Sequence, residues 1–284
     1  MSKVFIPTTN SGKLREFNHA FASLNIECIG NNDARYILGS AFDWNIPIED
    51  MQTFSGNGCK KLNEALRVFP KLFDVGVNSV LVDDSGLCVS RLNYEPGVHS
   101  ATYAGEPRSD QKNREFLSEM LVQRLRLSEA DSEPAFFVCS LLRANPICGP
   151  SYDSRSVVLS FSEFVSKLER VEGDIMARLT NRLEAVSSAA YAFAQQVKFE
   201  QAVYCVQLVM GFCVGRVAVK EQKLLENEGH GYDAMFFPAQ LPHLSFASIP
   251  LAQKNKMSHR SEALRGLNVL EKSHNALGET LELF

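Results

Sequence analysis

The sequence has no excess of basic charge, no long apolar run and no paired cysteine motif, and each absence removes a class of protein. Lys and Arg total 29 against 33 Asp and Glu, a formal net charge of −4, so no broad positive field is available to a nucleic-acid duplex. A small polyanion such as a triphosphate needs only a few convergent cations or one metal ion, and the overall balance leaves that possibility open. No run of about 18 apolar residues occurs, and the opening residues lack the apolar stretch of a signal peptide. A cytoplasmic protein with no membrane partner is expected. The seven cysteines are odd in number and none sits in a C-x-x-C pair, so most are expected to be reduced residues of the core. There is no internal repeat and no low-complexity tract.

What is present is a chain of 284 residues, 45% hydrophobic and 22% charged, enough to bury a sizeable core. Lys3 to Pro7 is strand-like, and Leu14, Phe17, Phe21 and Leu24 follow at helical spacing. Cys59, Leu62, Leu66, Phe69 and Phe73 predict a second helix leading into the apolar run Ser79 to Val82. Phe116, Met120 and Leu121 predict another, and Phe136 to Leu142 and Val203 to Met210 predict long buried strands. Between those two strands, Phe164, Leu168, Val171, Ile175, Leu179, Leu183 and Val186 form the stripe of an amphipathic helix. A last helix is expected from about Ser258. The order of elements is that of a mixed α/β fold.

Four segments carry candidate chemistry. Thr8-Thr9-Asn10-Ser11-Gly12-Lys13 lies where a strand hands over to a helix, and helix N-termini favour phosphate. It is not a P-loop, because Leu14 replaces the required Ser or Thr and Pro7 stands at the first glycine. Asp83-Asp84-Ser85-Gly86-Leu87 follows an apolar strand directly, and adjacent carboxylates repel unless a cation or a proton sits with them. The same composition suits a turn. On a strand the two would point opposite ways, so that only one need face a substrate. Gly229-His230-Gly231-Tyr232-Asp233 offers rings that suit a base and glycines that permit close approach. Lys254 and Ser258-His259-Arg260 place donors at the start of a helix capped by Ser258. Each segment alone also reads as an ordinary turn or an exposed charged face.

In this order the four segments resemble the inosine triphosphate pyrophosphatase family, in particular its bacterial dITP/XTP pyrophosphatase type. Thr8-x-Asn10-x-x-Lys13 with Glu16-Phe17 is similar to the family's opening stretch, and Asp83-Asp-Ser-Gly-Leu87 with Pro96-Gly97-x-x-Ser100-Ala101 to its catalytic one. Asp110-Gln-Lys-Asn113, Gly211-x-x-x-Gly215, Gly229 to Asp233 and Ser258-His-Arg260 resemble the later segments. The resemblance covers most of residues 3 to 142 and 204 to 270 and implies one domain over 1–284 with an insertion at about 145–202. It implies an elongated mixed sheet, two lobes around a nucleotide cleft, a homodimer and a Mg²⁺ cofactor. The implied activity is hydrolysis of ITP, dITP or XTP to monophosphate and pyrophosphate.

Carried over, Asp84 would be the general base and a metal ligand, with Asp83 beside it, and Ser85 would touch the substrate. Thr8, Thr9, Asn10, Ser11, Gly12, Lys13 and Lys61 would line or hold the phosphates. His230, Gly231, Tyr232, Asp233 and Lys254 would line the nucleoside pocket, and His259 and Arg260 would read the purine. The sequence departs from the family at Thr53-Phe-Ser-Gly-Asn57, where Gly56 replaces a metal-binding glutamate, with Asn57 and Glu64 the nearest groups to compensate. His230 replaces a stacking phenylalanine. A nucleotide-binding relative of weakened or no activity, carrying an interaction helix, is the alternative expectation.

Overall fold

A computed structural model describes residues 2–22, 25–147, 157–220, 230–272 and 279–283; Leu24, Cys148 and Gly229 lie outside them. The chain opens with β1 (Ser2–Phe5), α1 (Ser11–Phe21), β2 (Ile26–Ile29), α2 (Asn31–Leu38), α3 (Phe54–Phe73), β3 (Ser79–Val89) and α4 (Asp110–Leu125). It continues with β4 (Ser132–Pro146), β5 (Val158–Ser160), α5 (Phe161–Thr180), β6 (Ser188–Phe199) and β7 (Ala202–Ala218). β8 (Phe236–Pro238), α6 (Leu251–Met257), α7 (His259–Lys272) and β9 (Leu281–Glu282) complete it. The nine described strands join one open sheet in the order β2-β1-β3-β4-β7-β6-β5, with β8 on β7 and β9 on β6. β1 runs parallel to both neighbours and β5 parallel to β6, while the long central strands are antiparallel.

Helices cover both faces, as the near-continuous burial of β3, β4 and β7 requires. On one face α3 and α5 bury Leu62, Phe69, Leu168 and Ile175 against Val80, Phe136 and Phe212. On the other, α1 and α7 bury Phe17, Phe21, Leu264 and Leu267 against Leu81, Leu141 and Val209. A third cluster, with Leu117 and Leu121 of α4, packs around Phe137, Phe236 and Phe246. The described cysteines are free, and five of the six are buried, as expected of core residues.

Several expectations are corrected. The amphipathic stripe is helical only to Thr180; Asn181 caps it, and Leu183 and Val186 reach the core from the turn beyond. Asp83 to Leu87 is not a turn, because β3 continues through it, pairing Asp83 with Leu141, Asp84 with Ser140 and Ser85 with Cys139 of β4. The segment between β4 and β7 is more than a helix: β5 and β6 extend the sheet and α5 lies over it.

Candidate active site

The edge of β3 creates the site. β1 pairs with β3 only at Ser79 and Val80 and then ends, so among the described residues the rest of that edge has no strand beside it except an isolated bridge between Cys88 and Pro96. Successive side chains on a strand point to opposite faces. At an open edge both faces are reached from one space. Asp83 turns towards α1 and α7, and Asp84 towards α3.

Each carboxylate meets cations. Lys13, in the first turn of α1, holds Asp83 Oδ2 at 2.8 Å, and Arg260, at the start of α7, lies 3.6 Å from the same oxygen. Lys61 of α3 donates to Asp84 Oδ1 at 3.1 Å and to the Asp83 carbonyl at 2.9 Å, and it also pairs with Glu49 at 2.9 Å. Asn57 Nδ2 donates to Asp84 Oδ2 at 3.3 Å. Arg260 is held in turn by Glu16. Both aspartates are buried, 7% and 8% exposed, yet they differ in proton affinity. Burial alone would raise Asp83, but Lys13, then Arg260 and Lys61, hold its carboxyl well below the usual carboxylate range. For Asp84 burial prevails over Lys61, and the like charges of Glu49 and Asp83 add to it, pushing its pKa up to about 6. Lys61, facing three negative groups, is pushed up despite its burial.

A cleft of about 440 Å³ adjoins this pair, lined among others by Ser85, Phe137, Tyr232, Lys254, His259 and Arg260. His259 stacks on Phe137, ring centroids 5.0 Å apart. Burial, with the nearby Arg260 and Lys254, pushes its pKa well down and keeps the imidazole neutral. His259 Nδ1 and Arg260 Nε are closed off from solvent without a hydrogen-bond partner.

The flanking segments are tied to one another. Asp233 accepts from the His230 amide at 3.1 Å and pairs with Lys254. Asp110 accepts from the Gly231 amide at 2.7 Å, and Tyr232 donates to the Ser100 carbonyl at 3.0 Å. Asn113 Nδ2 donates to the Ala101 carbonyl at 3.0 Å. Ser100 Oγ donates to the Gly97 carbonyl at 2.6 Å and accepts from Leu87 N at 3.0 Å, so this loop meets the free edge of β3. A Cβ on Gly86 would lie 2.3 Å from the Gly97 carbonyl, so the loop's approach requires glycine there.

The expected residues therefore fall into three places. Ser85, His230, Gly231, Tyr232, Asp233, Lys254, His259 and Arg260 line the cleft. Lys13, Lys61, Asp83 and Asp84 form the charged cluster that Arg260 joins to it. Thr8, Thr9, Asn10, Ser11 and Gly12 make the entry to α1. There Asn10 Oδ1 caps the helix, accepting from Gly12 and Lys13 at 2.9 and 3.1 Å, while Thr8 Oγ1 accepts from the Asn10 amide. Glu64 does not reach Asp84; it pairs with Arg67 one turn along α3. Sequence reasoning did not single out two further carboxylates: Glu49, whose charge raises Asp84, and Glu172, which burial first and then the charge of Asp84 push up. Among the described residues no three metal-ligating side chains gather into a cage.

Comparison with known proteins bears on this site. The model of the Ham1 family matches residues 4–163 and again 160–269. The matched ranges run through the stretch at about 145–202 that the motifs alone leave unmatched. A dITP/XTP pyrophosphatase of Listeria monocytogenes is 29% identical, spanning 94% of this chain and 93% of that protein. One of Oceanobacillus iheyensis is 26% identical over 93% and 95%. Among solved structures, the Ham1 protein of Staphylococcus aureus shares the fold with a TM-score of 0.58 at 24% identity, covering 96% of this chain and all of that one. The nucleoside-triphosphatase / dITP/XTP pyrophosphatase of Mycobacterium abscessus follows at 0.54 and 20%, covering 93% and 98%. With a family model matched over nearly its whole length, the chain belongs to the Ham1 family.

Proposed function

We propose that the protein hydrolyses aberrant purine nucleoside triphosphates, namely ITP, dITP and XTP, to the monophosphate and pyrophosphate. The observation that carries this reading is Asp84: a buried carboxylate at an open strand edge, oriented by Asn57 and Lys61, with its pKa pushed up to about 6. Such a group is tuned to accept a proton near neutral pH. Asp84 takes a proton from water, the water oxygen bonds to the α-phosphorus, and the bond to the β-phosphate oxygen breaks to release pyrophosphate. Lys13 and Lys61 would receive phosphate charge, while Asn10, whose side chain takes the Gly12 and Lys13 amides, shapes the turn that carries Lys13. Ser85 faces the cleft beside them.

Asp83 and Asp84 offer oxygen ligands only, the set that Mg²⁺ prefers, and that ion usually completes its shell with waters and substrate phosphates. Burial first, then the neighbouring Glu49 and Asp83 carboxylates, raises the proton affinity of Asp84 against the pull of Lys61, and a cation beside it would offset both. The residues thus fit the ion: Asp84 and Asp83 would hold it, and it would neutralise charge developing on the phosphates. His259 and Arg260 supply donors to the 6-oxo group of hypoxanthine or xanthine, where adenine presents an amino group and would leave them unpaired. His230, Gly231, Tyr232, Asp233 and Lys254 frame the nucleoside. We further propose a homodimer acting on the cytoplasmic nucleotide pool; no described helix is long and apolar enough to cross a membrane.

Hydrolysis of dITP in heavy-oxygen water tests the reaction. Label in the monophosphate and none in the pyrophosphate is the expected result, and label in the pyrophosphate would place attack at the β-phosphorus instead.

A further inference from the structure

A second element reaches the proposed base through α3. Glu172, on α5, is 4% exposed, and both of its carboxylate oxygens are taken by the first turn of α3. The Phe54 amide donates to Oε1 at 2.9 Å and the Ser55 amide to Oε2 at 2.7 Å. The opening amides of a helix have no partners within it and carry the positive end of its dipole, so an anion is favoured there. The turn supplies no carboxylate of its own. Thr53 Oγ1 accepts from the Gly56 amide at 3.1 Å, and a Cβ on Gly56 would lie 2.6 Å from that oxygen and 2.9 Å from Met51 Cβ. The anion arrives instead from 118 residues along the chain.

The turn that Glu172 holds is the one that orients Asp84. Asn57 lies directly after it and donates to Asp84 Oδ2, and Lys61, one turn further, donates to Oδ1. We infer that Glu172 is a positioning residue for Asp84, fixing the first turn of α3 so that Asn57 and Lys61 hold the base. On this account the segment between β4 and β7 is a working part of the active site. The inference rests on Asp84 being the base.

The test compares Glu172→Gln, Asn57→Ala and the double variant of the full chain, with Asp174→Asn, on an exposed position of α5, as control. kcat and KM for dITP at saturating Mg²⁺ and the thermal midpoint are measured for each. Glu172→Gln should lower kcat about 10- to 100-fold, the range typical of outer-shell partners, while KM stays within about threefold because Lys254 and Arg260 are elsewhere. The double variant should lose less than the product of the two single losses, since the Asn57 contact is part of what Glu172 fixes and is already gone. A Glu172→Gln protein that is folded and within about twofold of the parent kcat, or losses that multiply in the double variant, would overturn the inference. Should Glu172→Gln not fold, Glu172→Asp, which keeps the charge but withdraws it by one methylene, is read by the same criteria. Asp84→Asn measured alongside separates the two claims. Full activity there removes the base itself, whereas full activity in Glu172→Gln with Asp84→Asn silent removes only the role of Glu172.

Discussion

Asp83 and Asp84 are neighbours in sequence that face different surroundings, and their titrations should differ in sign. Asp84 has a folded pKa of about 6, above the roughly 3.9 of an unfolded aspartate. Between those values the folded state binds more protons, so its contribution to stability falls as pH rises through the interval. Asp84→Asn should therefore be more stable than the parent above pH 6, by about 1–3 kcal/mol, while losing about 10²- to 10⁴-fold in turnover. Asp83 is held below the usual range by Lys13 and Arg260. Its contribution is present above the unfolded pKa and is lost as pH falls, so Asp83→Asn should be destabilised at neutral pH and approach the parent in acid. Thermal midpoints of both variants between pH 3 and 8 decide this; changes of the same sign at neutral pH would contradict it. The acid limb of kcat/KM should lie at or below pH 6 and move lower as Mg²⁺ is raised, because metal and proton compete for Asp84. A limb that ignores Mg²⁺ would separate the ion from Asp84.

At the scale of elements, the approach of α7 to β7 positions the purine-reading donors. A Cβ on Gly211 would lie 2.1 Å from the Ala263 amide and 2.4 Å from the His259 carbonyl, so Gly211→Ala must push α7 away from the sheet. It should raise KM for dITP as well as lower the thermal midpoint. Leu168→Ala, by contrast, empties a fully buried position of α5 far along the sheet and should cost about 2–5 kcal/mol of stability with little change in KM. Equal KM values for the Gly211→Ala protein and the parent would detach α7 from recognition. The helices that bury a wide apolar stripe, α3, α5 and α7, were legible in the sequence, as were the apolar cores of β1, β4 and β7. Others were not. α2 buries only Asn31 and Ala34 and leaves Tyr36 92% exposed, so it shows no stripe. β6 is rich in alanine and glutamine, which carry little strand signal. The passage of β3 through Asp83-Asp84-Ser85-Gly86 opposes propensity outright and is fixed by pairing with β4.

Across the whole molecule the site is assembled from distant segments, and this limited what sequence could reveal. Each motif alone also read as a turn or a charged face; their order, through its resemblance to a known family, brought Lys13, Asp84 and the cleft residues into view, and Lys61 came from that resemblance alone. Their arrangement on both sides of one open strand edge is a property of topology, since it arises where β1 stops pairing with β3. Glu49 and Glu172 carried no local pattern; only folding brings Glu49 beside Asp84 and Glu172 onto the first turn of α3. The most direct test of the account is pyrophosphate release from dITP and from ATP with Mg²⁺, by the parent and by Asp84→Asn. The account predicts that dITP is used roughly 10- to 100-fold more efficiently than ATP, the cost of leaving buried donors unpaired, and that the variant is silent. Release no greater than that of Asp84→Asn, from a folded protein that still binds dITP, would contradict it and make the chain a nucleotide-binding member of its family.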